Sequence, residues 1–182
     1  MSLTDAILEV HRFLDARAAP HAFGGALALA QNAEPRATAD IDVNVFVPDA
    51  DRDDLIESLA TLGYTPEQDP ADLVPTAGLR LRRLADRFPL DLFLPLGPAY
   101  DEIATRTRRF TFGPELVELP FLSAEDLVVF KLSFGRAKDW VDIRQIIASG
   151  VVLDDAYIER QLIELRGSTM YPRIARLRSL LG

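Results

Sequence analysis

Residues 21–47 read HAFGGALALAQNAEPRATADIDVNVFV, and this stretch decides the fold. His21 to Phe23 is a short strand-forming run, Gly24 and Gly25 interrupt it, and Ala26 to Ala33 favours helix, so the segment opens as strand, glycine turn, helix. Pro35 breaks that helix. Ile41, Val43, Val45 and Val47 then alternate with Asp40, Asp42, Asn44 and Phe46, the period of a strand with one buried face. Asp40 and Asp42 project to one side while Ile41 and Val43 enter the other. Two like charges held this close repel unless a cation offsets them, and Mg²⁺ or Mn²⁺ prefers such oxygen ligands. Upstream, the missing side chains of Gly24 and Gly25 let backbone N–H groups and a helix N-terminus approach a phosphate. Taken singly, the acid pair also fits a solvated edge strand and the glycine pair a tight turn. Together they imply a nucleotide tail beside a metal.

Working outward, Leu3 to Arg17 has apolar residues at helical spacing, with Ser2 or Thr4 as cap. Asp51 to Leu62 reads as a helix ended by Gly63, and Leu79 to Leu84 with Leu90 to Leu94 as a hairpin. A helix over Ala99 to Arg106 is followed by a smaller hairpin, Arg109 to Phe112 and Leu116 to Leu119. From Ser123 the chain turns helical, with Gly135 ending or bending the first helix and further helices over Lys138 to Ser149, Asp154 to Arg166 and Tyr171 to Leu181. The expected fold is α+β (α/β): a mixed β-sheet flanked by helices in residues 1–120, and a C-terminal helical bundle in 121–182 packed on it.

Asp91 lies inside the apolar run Phe88, Leu90, Leu92, Phe93 and Leu94, where a carboxylate needs a partner or a metal because burying an isolated charge is costly. With Asp40 and Asp42 it makes three acids, enough to hold two metals for in-line phosphoryl chemistry. The absence of cysteine excludes disulfides, thiolate metal sites and cysteine nucleophiles, and the two histidines, His11 and His21, are too few for a histidine-built zinc site. No apolar run approaches the roughly 20 residues a transmembrane helix requires, so no membrane role and a cytoplasmic location are expected. The net charge of −8 argues against a general nucleic-acid coat. Two arginine clusters, Arg80, Arg82, Arg83 with Arg87 and Arg106, Arg108 with Arg109, are either local phosphate contacts or solvated charged faces.

The glycine pair followed by D-x-D resembles the signature of the DNA polymerase beta nucleotidyltransferase superfamily, with Asp91 as the acid of a later strand. The R-x-T-x-D-I-D form, Arg36, Thr38, Asp40, Ile41 and Asp42, is similar to the abortive-infection (AbiEii-type) toxin nucleotidyltransferases and their small relatives. A second stretch, AEDLVVFKLSFGRAKDWVDIRQII, resembles the lysine-bearing helical segment of that group with its K-D-x-x-D element.

The resemblance implies transfer of a nucleoside monophosphate from an NTP to an acceptor hydroxyl. Asp40, Asp42 and Asp91 would be the metal-bound catalytic acids. Gly24, Gly25, Arg36, Thr38, Lys131, Arg136, Lys138, Asp139 and Asp142 would form the nucleotide site. It also implies an RNA or tRNA end or a protein as acceptor, with a cognate antitoxin as partner, whereas other superfamily members modify small antibiotic alcohols. The residues themselves leave Lys131 as nucleotide contact or helix-surface charge. They leave Lys138, Asp139 and Asp142 as site residues or as a helix cap and an i,i+4 pair. Lys131 and Lys138 are the only lysines, which favours a compact ammonium where they stand but also fits two surface charges. A non-catalytic nucleotide- or partner-binding protein on the same fold is the rival reading.

Overall fold

The computed structural model describes residues 1–68, 78–85, 87–95 and 97–182. Helix α1, Leu3–Ala16, starts with a capping box: the Ser2 hydroxyl accepts from the Asp5 N–H, and the Asp5 carboxylate accepts from the Ser2 N–H. Strand β1, His21–Phe23, leads through Gly24 into α2, Gly25–Leu29. Helix α2 is shorter than the run of helix formers to Ala33 predicts. Residues 30–33 close in turn-type bonds, and the Asn32 side chain donates to the Ala28 carbonyl where the chain must turn before Pro35.

Strand β2, Ile41–Val45, is followed by α3, Arg52–Leu59, and a turn closed by Gly63 at φ 82°. The short strand β3, Thr65–Pro66, has too little sequence to announce itself and exists by pairing with β4, Leu79–Arg82. Strand β5, Leu90–Phe93, completes the predicted hairpin with β4; its connection includes residue 86, which lies outside the described residues. Helix α4, Ala99–Thr105, precedes the hairpin of β6, Arg108–Phe112, and β7, Val117–Phe121. Four helices end the chain: α5 Ala124–Phe134, α6 Ala137–Ala148, α7 Asp155–Arg166 and α8 Tyr171–Leu181.

Among the described residues the strands form one seven-stranded sheet in the order β3-β4-β5-β2-β1-β7-β6. The β1–β2 pair is antiparallel, whereas β2–β5 and β1–β7 are parallel, so the sheet is mixed as expected. Ile41, Val43 and Val45 are wholly buried on one face, in register with His21 and Phe23. That face meets α1, whose His11 contacts His21. Asp42 and Asn44 point to the opposite face, covered by α2 and α5. Helices α5 to α8 pack on one another as the expected bundle, with Phe130, Trp140, Tyr157 and Leu177 buried. Among the described residues no helix is long and apolar enough to cross a membrane.

Candidate active site

The site is built on the parallel pairing of β2 with β5. Their register sets Asp42 opposite Asp91, and the antiparallel β4–β5 register sets Arg80 opposite Asp91 in turn. Three charged residues therefore stand in one row across three strands, on one face of the sheet. Asp40 sits just before β2, where the Thr38 hydroxyl donates to the Asp40 carbonyl at 3.2 Å and accepts from the Asp40 N–H at 3.3 Å. Thr38 therefore shapes the loop that delivers Asp40.

Gly25 explains the second glycine. Its φ is 51°, and a Cβ there would lie 1.9 Å from Asp42 Oδ2, so the Asp42 carboxylate rests directly on the Gly25 backbone. Gly24 is crowded less severely, by Asn44 Nδ2 at 3.1 Å and Leu122 Cδ1 at 3.3 Å, and its N–H donates to the Asp42 carbonyl at 2.9 Å.

Burial, and then the charge of Asp40, lift the Asp42 carboxyl above the usual carboxylate range, although Lys131, Lys138 and Arg136 pull it down. Asp91 is pushed up to about 6, first by burial and next by Asp42, with Arg80 opposing. Arg80 bridges the outer acids: Nη2 donates to Asp40 Oδ1 at 2.6 Å, and Nη1 to Asp91 Oδ2 at 3.3 Å. Asp42 takes no hydrogen bond or ion pair from any described side chain. Among the described residues no group of three His, Cys, Asp or Glu side chains is drawn together as a ready metal site. The donor set nonetheless fits a hard divalent cation: Asp42 and Asp91 are in register, both have raised affinities for a proton, and Asp42 lacks a cationic partner in contact.

Beside Asp42 a small cavity of about 40 Å³ is lined by Gly25, Asn44, Phe93, Phe130, Lys131 and Arg136, among others. Asn44 is 2% exposed and its Oδ1 is buried without a hydrogen-bond donor, so a polar acceptor stands next to the acids. The sequence shows Asn44 only as the next same-face residue after Asp42. The rings of Phe93, Phe130 and Phe134 gather from β5 and α5 with centroids 6.1–6.4 Å from Phe93, a convergence that periodicity within one element does not reveal.

The second sequence stretch meets the first through Asp142. Lys131 Nζ donates to Asp142 Oδ2 at 2.6 Å, and Arg36 grips the same carboxylate through Nε and Nη2, both at 3.1 Å. Burial alone would raise the Asp142 pKa, but the bonds from Arg36 and Lys131 overcome it and hold the carboxyl below its usual value. Arg36 thus ties the loop before β2 to α6. Asp139, 1% exposed, accepts from the Arg136 N–H at 2.9 Å and from its Nε at 2.8 Å, capping α6. Lys138 is exposed on the first turn of α6, and its charge reaches Asp42 and Asp91. Eight of the expected residues divide by their place around the cavity. Gly25, Asp42, Lys131, Arg136 and Asp139 line the cavity, whereas Arg36 and Asp142 brace Lys131 and Thr38 shapes the loop that carries Asp40.

Five of the seven clustered arginines have partners within the molecule, Arg80 among them. Arg82 pairs with Glu67, and Arg83 is buried against Glu9 and over the Tyr64 ring. Arg106 reaches Glu125 at 3.1 Å and stacks on Tyr157, and Arg109 donates to the Glu118 carbonyl at 3.0 Å.

No protein-family model and no curated protein matches the sequence. Solved structures do match. An antigenic nucleotidyltransferase-like protein from Paracoccidioides brasiliensis superimposes with a TM-score of 0.57 at 19% identity, over 98% of this chain and 92% of that one. The antibiotic-resistance factor ANT(2'')-Ia, in complex with adenylyl-2''-tobramycin, gives 0.58 at 16% identity over 91% and 99%. The lincosamide antibiotic adenylyltransferase LnuA, bound to lincomycin, gives 0.58 at 14% identity over 80% and 96%. The chain has the nucleotidyltransferase fold, as its glycine pair and D-x-D imply.

Proposed function

We propose that this protein is a metal-dependent nucleotidyltransferase that moves a nucleoside monophosphate from an NTP to an acceptor hydroxyl. The observation that carries the reading is the Asp42–Asp91 register with the Asp42 carboxylate seated on the Gly25 backbone. Asp42 and Asp91, joined by Asp40, would hold Mg²⁺ or Mn²⁺. The bound cation would supply positive charge to the phosphoryl oxygens and acidify the acceptor hydroxyl. Asp91, with its raised proton affinity, takes the hydroxyl proton on a carboxylate oxygen. Lys138 and Arg136 face the acids with unburied positive charge and offset the charge gathering on the departing pyrophosphate. Lys131 adds its charge from a fixed position set by Asp142.

A small alcohol, rather than an RNA end, is the acceptor this surface favours. An RNA track needs free cations along the backbone path, and five of the seven clustered arginines, Arg80, Arg82, Arg83, Arg106 and Arg109, have acceptors within the molecule. The lincomycin- and tobramycin-related ligands of two fold neighbours support the same choice. The toxin-type acceptors, RNA or protein, and an antitoxin partner are the competing reading.

The test is incubation with each labelled NTP, Mg²⁺ or Mn²⁺, and separate pools of small alcohols, total RNA and lysate protein. The proposal requires label on a small molecule, lost in Asp42→Asn. Label on RNA or protein selects the toxin-type reading, and nucleotide binding without turnover in any pool selects a non-catalytic binding protein.

A further inference from the structure

Arg80 fills the gap between two acids of the candidate metal site, and it does so imperfectly. Its Nη2 and Nη1 reach Asp40 and Asp91, but its Nε is buried with no hydrogen-bond acceptor. Glu67 Oε2 lies 3.9 Å from that Nε, on the segment after β3. Backbone pairing holds Glu67 next to this arginine, since its N–H donates to the Arg80 carbonyl at 3.0 Å. One guanidinium therefore has two sets of acceptors. It now uses the carboxylates of the site, and a short swing would complete its bonding on Glu67 Oε2, the oxygen of that carboxylate that faces Arg80 while Oε1 takes Arg82.

We propose that Arg80 is a displaceable internal cation: it neutralises Asp40 and Asp91 while the site is without metal, and moves onto Glu67 when a divalent ion takes its place. Charge balance gives the device its purpose. Asp40, Asp42 and Asp91 concentrate negative charge on one sheet face, and the row is opposed in direct contact by Arg80 alone among the described side chains. A divalent ion and Arg80 compete for the same carboxylate oxygens, so metal affinity is set by how readily the arginine leaves. Displaced, the guanidinium stays at the edge of the site as a donor.

This inference rests on the metal-site reading above, and the experiment separates the two. Mn²⁺ binding to the full chain is measured by calorimetry and by electron paramagnetic resonance, without nucleotide, for the wild type, Arg80→Ala, Arg80→Lys, Glu67→Gln and Asp42→Asn. Arg80→Ala binds Mn²⁺ at least tenfold more tightly. Arg80→Lys, whose single ammonium cannot span both acids and which preserves the charge should the alanine variant not fold, falls between it and the wild type. Glu67→Gln binds more weakly, because the displaced arginine loses its acceptor. If the wild type binds Mn²⁺, Asp42→Asn does not, and the Arg80 variants match the wild type, the displacement is overturned and the metal site stands. If no protein binds Mn²⁺, both fall.

Discussion

Lys131 and Asp142 form a 2.6 Å ion pair in which both side chains are buried, joining α5 to α6 behind the acid row. Removing one partner leaves the other charge without its neighbour in a dry setting, which typically costs about 3–5 kcal/mol. The two deletions should differ. Lys131→Met leaves Asp142 still gripped by Arg36, whereas Asp142→Asn leaves Lys131 buried with no acidic partner. Urea denaturation should show the larger loss, about 3 kcal/mol, for Asp142→Asn, and the double variant Lys131→Met/Asp142→Leu should recover part of it. Equal losses would mean that Arg36 contributes nothing to holding Asp142.

Gly25→Ala and Gly24→Ala make a matched pair. An added methyl at Gly25 lands on Asp42 Oδ2 and forces a positive φ on alanine, so about 1–3 kcal/mol of stability should go. Nucleotide binding should go with it, because Asp42 must move. Gly24→Ala meets an amide and a methyl at 3.1–3.3 Å, which side-chain shifts can relieve. Calorimetric NTP titration of both variants, with melting curves, checks the ranking.

Much of this arrangement was legible in the chain. The period-two alternation from Ile41 set Asp42 and Asn44 on one face, and the helical pattern from Ser123 with its break at Gly135 set the bundle. What sequence did not carry is register. That Asp42, Asp91 and Arg80 share one row follows from how β4 and β5 slide past β2, a tertiary choice that local pattern leaves open. For the same reason the arginine run Arg80, Arg82, Arg83 read as one cluster, although strand alternation sends Arg80 to the acids and the chain leaving β4 buries Arg83 against Glu9. The overlong expectation for α2 came from counting helix formers without the side-chain competition of Asn32.

Asp91 makes the site a stability liability near neutral pH. Its folded pKa, about 6, lies above the unfolded value of 3.8, so the charged form is disfavoured on folding. The sign follows: the penalty is present above pH 6, shrinks as pH falls through 6, and is gone below 3.8. Two pH units correspond to about 3 kcal/mol, and solvent access to the carboxylate reduces this to about 1–2. Asp91→Asn should therefore be more stable than the wild type at pH 7.5, by denaturant titration, and the advantage should fade towards pH 4. A variant less stable at pH 7.5 would show that the Arg80 contact outweighs burial.

The His11–His21 pair imposes the opposite slope. His21 Nδ1 lies 2.8 Å from the Ala19 carbonyl, so Nδ1 carries the proton and the neutral ring presents Nε2 as acceptor to His11 Nδ1–H at 2.9 Å. Protonating His21 at Nε2 sets two donors against each other in a buried contact. Burial dominates in pulling His21 down to about 4 and also lowers His11. Because the folded pKa lies below the unfolded 6.5, stability is full above 6.5 and is lost as pH falls from there to about 4, by up to about 3 kcal/mol. The two sites thus pull against each other between pH 6 and 4. In Asp91→Asn the histidine pair acts with one opposing carboxylate fewer, so acid should destabilise that variant more steeply than the wild type over this interval. His21→Phe should flatten the fall, and the His21 ring resonance in an NMR titration should remain that of a neutral imidazole at pH 5. A ring that titrates near 6.5 would show that the dyad is open to solvent and would remove the predicted slope.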